Sequence, residues 1–142
     1  FSHHPLLLFS SSPLLISQIA ESTGKPSVVV MDRGLLDIKA YLPEEQWSSI
    51  LAAQNLDEQA LLGRYDMVLH LVTAADGAEK FYTTANNATR TETPAQARAL
   101  DKKMERCWSA HAELHVVDNS SDFADKMVRA TRGVLGVVCP EN

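Results

Sequence analysis

The tripeptide Asp32-Arg33-Gly34 places a carboxylate beside a guanidinium, directly after the short apolar run from Ser27 to Met31. A carboxylate at the end of a strand can orient water on Mg²⁺, and a neighbouring arginine can bind a phosphate through two parallel hydrogen bonds. The same residues also suit an ordinary turn with an Asp-Arg pair on the surface, and the tripeptide alone favours that interpretation. It is the first of three candidate ligand-binding sites in the sequence.

A second candidate follows Val72, where Thr73 to Thr91 is rich in small and polar residues and is too long for a simple connection. Such a segment can act as a lid, with Arg90 and Arg98 closing over a phosphate and shielding it from water. The alternative is a solvated loop in which Asn86-Asn87 makes turns. Both interpretations stay open at this point.

The third candidate is Asp118-Asn119, which ends the apolar run that begins at Glu113. Its carboxylate and amide groups can hydrogen-bond to the edge of a nucleobase. A helix cap is an equally good interpretation, since Asp and Asn both cap helices. Ligands of open parallel sheets bind outside the carboxyl ends of the strands, so all three candidates stand where a ligand is expected.

Other kinds of site have little support in the sequence. The five histidines and two cysteines show no spacing typical of zinc ligands, and there is no Gly-x-Ser-x-Gly nucleophile motif. No Gly-x-x-x-x-Gly-Lys-Ser/Thr phosphate loop occurs either, because Gly24-Lys25 is followed by Pro26. With only two cysteines, we expect a reducing compartment and a cytoplasmic protein.

Short apolar strands alternate with amphipathic helices along the chain. We predict strands at 27–31, 66–72 and 113–118, each bounded by polar or turn residues. The predicted helices are one at 13–23, one that opens at Pro43, one from an Asp57 cap to near Gly63, one of about eighteen residues from a capping box at Thr93-Pro94-Ala95-Gln96, and one after a Ser120 or Ser121 cap. The alternation predicts an α/β fold with a parallel sheet covered on both faces. Helical spacing assigns three large side chains to its core: Trp47, Met104 and Trp108.

Length and composition fit one globular domain. The 142 residues are 45% hydrophobic and 22% charged, which supplies enough apolar surface for a buried core. The formal net charge of -5, from 18 acidic and 13 basic residues, argues against a nucleic-acid-binding surface. No apolar run reaches the ~18 residues of a membrane span. We assign 1–12 to a divergent or disordered N-terminal stretch and 13–138 to the domain.

Several motifs together resemble one family. They are Asp32 to Tyr41 (DRGLLDIKAY), Arg64-Tyr65-Asp66, the stretch from His70 to Arg90, Glu92-Thr93 and Asp118-Asn119. Over 14–136 the chain resembles the NadR/TRPL-translocation-defect type of P-loop domain. That domain is related to bacterial ribosylnicotinamide kinases and to a eukaryotic protein linked to photoreceptor channel trafficking. The stretch from His70 to Arg90 is the most specific part of the resemblance.

The resemblance implies a P-loop NTPase fold with a three-layer α/β/α architecture, a parallel sheet, a helical lid over about 73–111, and nucleotide bound at the strand ends. It implies Mg²⁺ as the cofactor, with Asp32 as the catalytic carboxylate that assists the metal. Arg33 would contact phosphate, and Arg90 would act from the lid in catalysis. The residues that would bind the nucleotide are Asp118, Asn119 and Arg98.

Three functional hypotheses follow from the resemblance. The first, which we favour, is a regulatory protein that binds GTP or ATP with Mg²⁺. Its partner would be a phosphoinositide membrane surface or a trafficking protein, and it would act in the cytoplasm or peripherally at a membrane. The second is a small-molecule kinase that phosphorylates a nucleoside such as ribosylnicotinamide. The third is a degenerate interaction domain that binds no nucleotide.

The resemblance also implies elements that the printed residues do not contain. Relatives carry a first strand, a phosphate loop, a first helix and a second strand upstream of the matching region. Their first strand lies between the strands that correspond to 27–31 and 66–72. We therefore expect a domain truncated at its N-terminus, with two unpaired apolar strand edges.

Overall fold

The structure is a computed structural model of the chain, and it describes residues 15–82 and 92–139. The chain divides into two compact units, Phe1–Leu35 and Leu36–Asn142. None of the helices in the described ranges is both long enough and apolar enough to cross a membrane.

Helix α1, in the first unit, covers residues 15–22 and lies within the predicted range 13–23. The backbone N–H groups of Thr23 and Gly24 donate to Ala20 and Glu21 and close its last turn. Gly24 has a φ of +63°, in the left-handed region that glycine adopts without steric cost. The predicted helix end at this glycine is confirmed.

The strand predicted over 27–31 is wrong. These residues form no strand, and Val28 and Val30 are 57% and 86% exposed instead of buried. A β-branched run becomes a strand only when a neighbouring strand satisfies its backbone groups. No strand in the described ranges pairs with this run, so its local pattern is not realised.

From Leu35 onward the chain alternates helices with two strands. The elements, in chain order, are the 3₁₀ helix Leu35–Tyr41, α2 (Glu44–Gln54), α3 (Glu58–Leu62), β1 (Val68–Leu71), the 3₁₀ helix Glu79–Phe81, α4 (Pro94–Cys107), β2 (Leu114–Val117) and α5 (Phe123–Val138). The two 3₁₀ helices were not predicted.

Strands β1 and β2 are parallel neighbours, in register from Val68 opposite Leu114 to Leu71 opposite Val117. Just beyond this register, Val72 N donates to Val117 O at 3.0 Å. The sheet confirms the α/β class and the parallel pairing, but the described residues do not form the predicted three-layer sheet. The parallel register brings the carboxyl ends of both strands to the same edge.

Two helix starts follow the predicted local chemistry. Asp57 caps α3, because its carboxylate accepts from Ala60 N at 2.9 Å. Thr93 and Gln96 form the predicted capping box at the start of α4. Both motifs involve only residues that are close in sequence, which is why the sequence reveals them.

The cap of α5 differs from the prediction. Asp122 caps the helix, not Ser120 or Ser121, and its carboxylate accepts from Asp125 N at 2.9 Å. The Ser120 hydroxyl instead donates to Asp118 Oδ1 at 2.6 Å. An ionised carboxylate is also favoured at this position because it faces the positive end of the helix dipole.

Helix α4 is shorter than predicted, ending at Cys107 and not near His111. Trp108 is its C-terminal cap, and His111 lies beyond the helix with Nε2 donating to Tyr65 O at 2.7 Å. The ring of Tyr65 meets that of Trp108 edge to face, with the ring centres 5.0 Å apart. Trp108 is therefore buried in the core as its spacing predicts, although it lies just beyond the end of the helix.

Two tryptophans fix the helices to the core through their indole N–H groups. Trp108 Nε1 donates to Asp37 Oδ1 at 2.7 Å, and Trp47 Nε1 donates to Glu58 Oε2 at 2.6 Å. A buried indole N–H needs such a partner, so each bond sets a side-chain orientation as well as contributing stability. The three predicted core side chains are all buried: Trp47, Met104 and Trp108.

Replacing Leu61 by alanine is expected to lower the free energy of unfolding by about 2–5 kcal/mol, because the smaller side chain leaves a cavity. Leu61 is 1% exposed, whereas Leu15, the matched control for a Leu→Ala change, is 57% exposed. Urea denaturation followed by circular dichroism measures both variants. Equal losses of stability in Leu61→Ala and Leu15→Ala would contradict this assignment of the core.

Candidate functional site

The carboxyl ends of β1 and β2 lie side by side, because the strands are parallel and in register. Residues Thr73 to Gly77, which we call the strand-end loop, follow β1, and Asp118-Asn119 follows β2. Two of the three candidate sites in the sequence are therefore neighbours in the fold. They occupy the edge of a parallel sheet where ligands bind.

Asn119 holds the strand-end loop through its side-chain amide. Asn119 Nδ2 donates to Thr73 O at 2.8 Å and to Asp76 O at 2.6 Å. Gly77 has a φ of +82°, and a Cβ placed on it would stand 3.5 Å from Asn119 Cβ. The amide satisfies two loop carbonyl groups, and Gly77 adopts the positive φ of this turn without steric cost.

Lys126, on α5, reaches the same place from the interior. Its side chain is almost fully buried, and Nζ donates to Asn119 Oδ1 and to Val72 O, both at 2.7 Å. Burial lowers the pKa of Lys126, with the carboxylate of Asp101 acting in the opposite direction. The two short hydrogen bonds are what make an ammonium group tolerable at this depth.

Helix α4 holds the other side of the strand-end loop. Asp101 Oδ1 accepts from Thr73 N at 3.2 Å, and Asp101 Oδ2 lies 3.4 Å from His70 Nε2. Arg98 Nη1 donates to the carbonyl oxygen of Ala75 at 2.7 Å, and Ala75 is fully buried. Side chains from α4 and α5, together with Asn119, thus fix the backbone of the loop before any ligand binds.

Asp118 faces solvent beside this arrangement. Its Oδ1 accepts from Ser120 Oγ at 2.6 Å and from Arg129 Nη1 at 2.7 Å. The hydrogen bond from Ser120, followed by that from Arg129, lowers the pKa of Asp118 to about 2 from its ordinary value of 3.8. Asp118 is therefore an ionised and accessible hydrogen-bond acceptor at neutral pH.

The remaining predicted site residues belong to the first unit or fall outside the described residues. Asp32 and Arg33 belong to the first unit; both are exposed, and Arg33 has a φ of +74°. The left-handed region costs a residue other than glycine about 1–2 kcal/mol, and such strained positions cluster at functional sites. Arg90 lies outside the described residues. The catalytic and nucleotide-binding roles of all these residues stay predictions.

Asp101 and Lys126 are not among the site residues predicted from the sequence. Lys126 had a detectable signal, because it shares the inward helical spacing of Ala130 and Gly133 on α5. A lysine on an apolar helix face either extends to water or has buried partners. Asp101 had no such signal, since its partner is the backbone N–H of Thr73 on a distant segment.

Residues 8–126 match the protein family described as AAA domain. The chain belongs to this family. The match includes the strand-end loop and the three side chains that hold it from α4 and α5, namely Arg98, Asp101 and Lys126. No curated protein and no solved structure gives a significant match to the chain.

Membership of the AAA domain family confirms the resemblance at the level of a P-loop NTPase-like domain, a class that binds nucleotides. The family match ends at Lys126 and so leaves out most of α5. This match does not test the finer resemblance to the NadR/TRPL-translocation-defect type, which stays a prediction.

Replacing Lys126 by methionine is expected to lower the free energy of unfolding by about 1–3 kcal/mol, because Val72 O and Asn119 Oδ1 then lose their donor. Methionine keeps most of the side-chain volume, so the change tests the hydrogen bonds and not the packing. Lys103→Met, on the exposed face of α4, is the matched control. Urea denaturation compares them, and equal stability of the two variants would show that the buried ammonium is dispensable.

Asp118 should contribute to the decrease in the free energy of unfolding at low pH. Its pKa in the folded chain, about 2, lies below the ordinary value of 3.8. The ionised carboxylate of Asp118 therefore stabilises the fold fully at pH values above 3.8. That contribution is lost as the pH falls through the folded pKa. NMR titration of the carboxyl carbon measures the pKa directly.

The Ser120→Ala variant should raise the pKa of Asp118, because the hydroxyl donor is removed. Ser109→Ala is its control, since Ser109 precedes β2 whereas Asp118 follows it, and the Ser109 hydroxyl donates to Arg106 O. An unchanged pKa of Asp118 in Ser120→Ala would contradict the assigned cause.

Proposed function

We propose that the chain is a nucleotide-binding, P-loop NTPase-like regulatory protein that takes GTP or ATP together with Mg²⁺. The position of the strand-end loop carries this proposal. The loop lies within the AAA domain match and at the carboxyl ends of two parallel strands, where ligands of α/β sheets bind. Its backbone is already fixed by side chains, as a binding surface requires.

Asp118 is the proposed contact to the nucleobase. Its carboxylate stays ionised at neutral pH, and 58% of its side chain is exposed. A carboxylate only accepts hydrogen bonds, so it suits the donor groups on the edge of a purine base. The amide hydrogens of Asn119 are already directed at the loop carbonyls, so we assign Asn119 to positioning the loop next to that contact.

Arginines are the proposed contacts to the phosphates. Arg98 uses Nη1 for Ala75 O, and the same atom lies 3.8 Å from Glu79 Oε1. A guanidinium has five N–H donors, so this attachment leaves donors that can point toward a phosphate from the rim of the strand-end loop. Arg33 and Arg90 are proposed for the same chemistry on the strength of the family resemblance.

Asp32 is the proposed Mg²⁺ ligand. Within residues 15–82 and 92–139, no group of three His, Cys, Asp or Glu side chains can hold a metal ion. Mg²⁺ does not need such a cage in a phosphate site, because one or two carboxylates, water and the phosphates complete its shell. The exposed carboxylate of Asp32 fits this requirement. Bound Mg²⁺ would neutralise phosphate charge.

We propose a regulatory role because the lid region offers no residue recognisable as specific for a phosphate acceptor. In this role the nucleotide-bound state recruits a phosphoinositide-bearing membrane surface or a trafficking protein, with the chain in the cytoplasm or peripheral at a membrane. The family resemblance supports this part of the proposal. The fixed shape of the strand-end loop agrees with it, since a rigid edge next to a bound nucleotide presents a defined surface to a partner.

NMR titration of the ¹⁵N-labelled chain with Mg-GTP and with Mg-ATP tests nucleotide binding. We expect saturable shifts at the amides of the strand-end loop and of Ser120 with at least one nucleotide. The method suits weak binding, which we expect because residues 1–142 contain no Gly-x-x-x-x-Gly-Lys-Ser/Thr loop. The hydrogen bonds of such a loop raise affinity by about 100-fold or more.

The Asp118→Asn variant should weaken binding by about tenfold, as the loss of one charge-assisted hydrogen bond predicts. Asp66→Asn, an exposed position at the amino end of β1 and so at the opposite end from the candidate site, should leave the affinity unchanged. The absence of saturable shifts with both nucleotides would overturn the proposal and favour the degenerate interaction domain. Phosphate transfer from ATP to ribosylnicotinamide would favour the kinase.

A further inference from the structure

Helix α5 is apolar on two opposite faces. On the inner face, Lys126 and Ala130 are buried, and Gly133 lies close against the side chains of His115 and Met67 in the sheet region. A second row of residues on the same helix is exposed. This row, which we call the outer stripe, consists of Ala124, Val128, Thr131, Leu135 and Val138.

The outer stripe has the spacing of a coiled-coil seam. Its members follow one another at intervals of four, three, four and three residues, which is the heptad spacing of paired helices. Val128 and Leu135 occupy equivalent heptad positions and are each 53% exposed. A helix that packs only on a sheet places polar residues on the side facing water. The stripe therefore has the form of a surface for a second helix.

Two opposite charges lie on one flank of the outer stripe. Asp125 follows Ala124, and Arg132 follows Thr131, so the two are one heptad apart and on the same side of the helix. Both are exposed, and neither forms a salt bridge with another residue in the described ranges. The opposite flank carries Met127 and Val134 at the corresponding positions and has no charge there.

This charge pattern is complementary to itself in one orientation only. When two copies of the helix pair in antiparallel fashion, the charged flank of one meets the charged flank of the other. Asp125 of each copy then faces Arg132 of the other copy, and two-fold symmetry repeats the contact. A parallel pair would place the charged flank against Met127 and Val134, where no opposite charge exists.

Side-chain sizes in the outer stripe agree with the same alignment. The antiparallel pairing that joins Asp125 to Arg132 sets Leu135 opposite Ala124 of the second copy and sets Val128 opposite Thr131. Leu135 thus meets the much smaller Ala124, and Val128 meets Thr131, which has nearly its own size, so no layer sets two large side chains against each other. The alignment that the charges specify is therefore also compatible with the side-chain volumes.

We propose that the outer stripe of α5 is a self-association surface, on which a second copy of this chain packs with its own α5 antiparallel. The interface is small, since Ala124 to Leu135 spans only about 17 Å of helix. Contacts of this size give weak, reversible dimers, so dissociation constants of about 1 μM or more are expected.

Sedimentation equilibrium of the chain from about 1 μM to about 1 mM measures the association. The wild-type chain should follow a monomer–dimer equilibrium. Asp125→Arg and Arg132→Asp each place like charges opposite one another twice in the dimer, so each should weaken dimerisation by about tenfold or more. The double variant Asp125→Arg/Arg132→Asp recreates both opposite-charge contacts and should restore dimerisation to within about threefold of wild type.

The double variant separates a direct contact from an effect on folding. Asp125→Arg removes an acidic residue from the first turn of α5, which weakens the helix in the single and the double variants alike. Recovery in the double variant therefore reports the contact between copies. Lys103→Asp, an exposed charge reversal on α4, is the control and should leave dimerisation unchanged. A chain that stays monomeric at every concentration, a dimer insensitive to either single swap, or a double variant that does not recover would each overturn the proposal.

Discussion

The hydrogen bonds of the buried Lys126 ammonium group are the interactions on which the conformation of the strand-end loop depends. An ammonium removed from water is costly unless acceptors surround it, and here the acceptors are the carbonyl of Val72 and the amide oxygen of Asn119. Because Asn119 presents its oxygen to the lysine, its NH₂ group must face the other way. That orientation directs both amide hydrogens to the carbonyls of Thr73 and Asp76. One charge on α5 thus determines which way the loop after β1 is held.

The position of α4 is set by contacts at both of its ends. Beyond its carboxyl end, Trp108 is fixed by its hydrogen bond to Asp37 in the 3₁₀ helix. Toward its amino end, Arg98 binds the backbone of the strand-end loop at Ala75, and near the middle of the helix Asp101 binds it at Thr73. The packing of Trp108 and the shape of the strand-end loop are therefore coupled through α4. A displacement of the helix at one of these contacts also shifts the other.

The parts of the fold that could be predicted are those decided by neighbours in sequence. The Asp57 cap and the Thr93 to Gln96 capping box depend on residues three positions apart, and both are confirmed. The run 27–31 has the composition of a strand, but a strand requires a partner that composition does not supply. Asp118 and Asn119 could be predicted as site candidates because ligands of parallel sheets bind outside the carboxyl ends of the strands. The contacts of Lys126 and Asp101 cross long stretches of chain, so no local pattern reveals them.

The parallel pairing of β1 and β2 also determines the order in which the chain can fold. Thr73 and Asn119 are 46 residues apart, so a long loop must close before the first contact between the strand ends can form. Helix α4 lies inside that loop. Its capping box stabilises the helix through local contacts, so the helix can form before the strands pair. The formed helix shortens the distance between the two strands that has to be closed. The contacts of Asn119 and Lys126 with Val72 and the loop after β1 can form only once this long loop has closed. A chain that ends before β2 lacks the contacts of Asn119 and Lys126, so this part of the strand-end site needs β2 and α5 as well as α4.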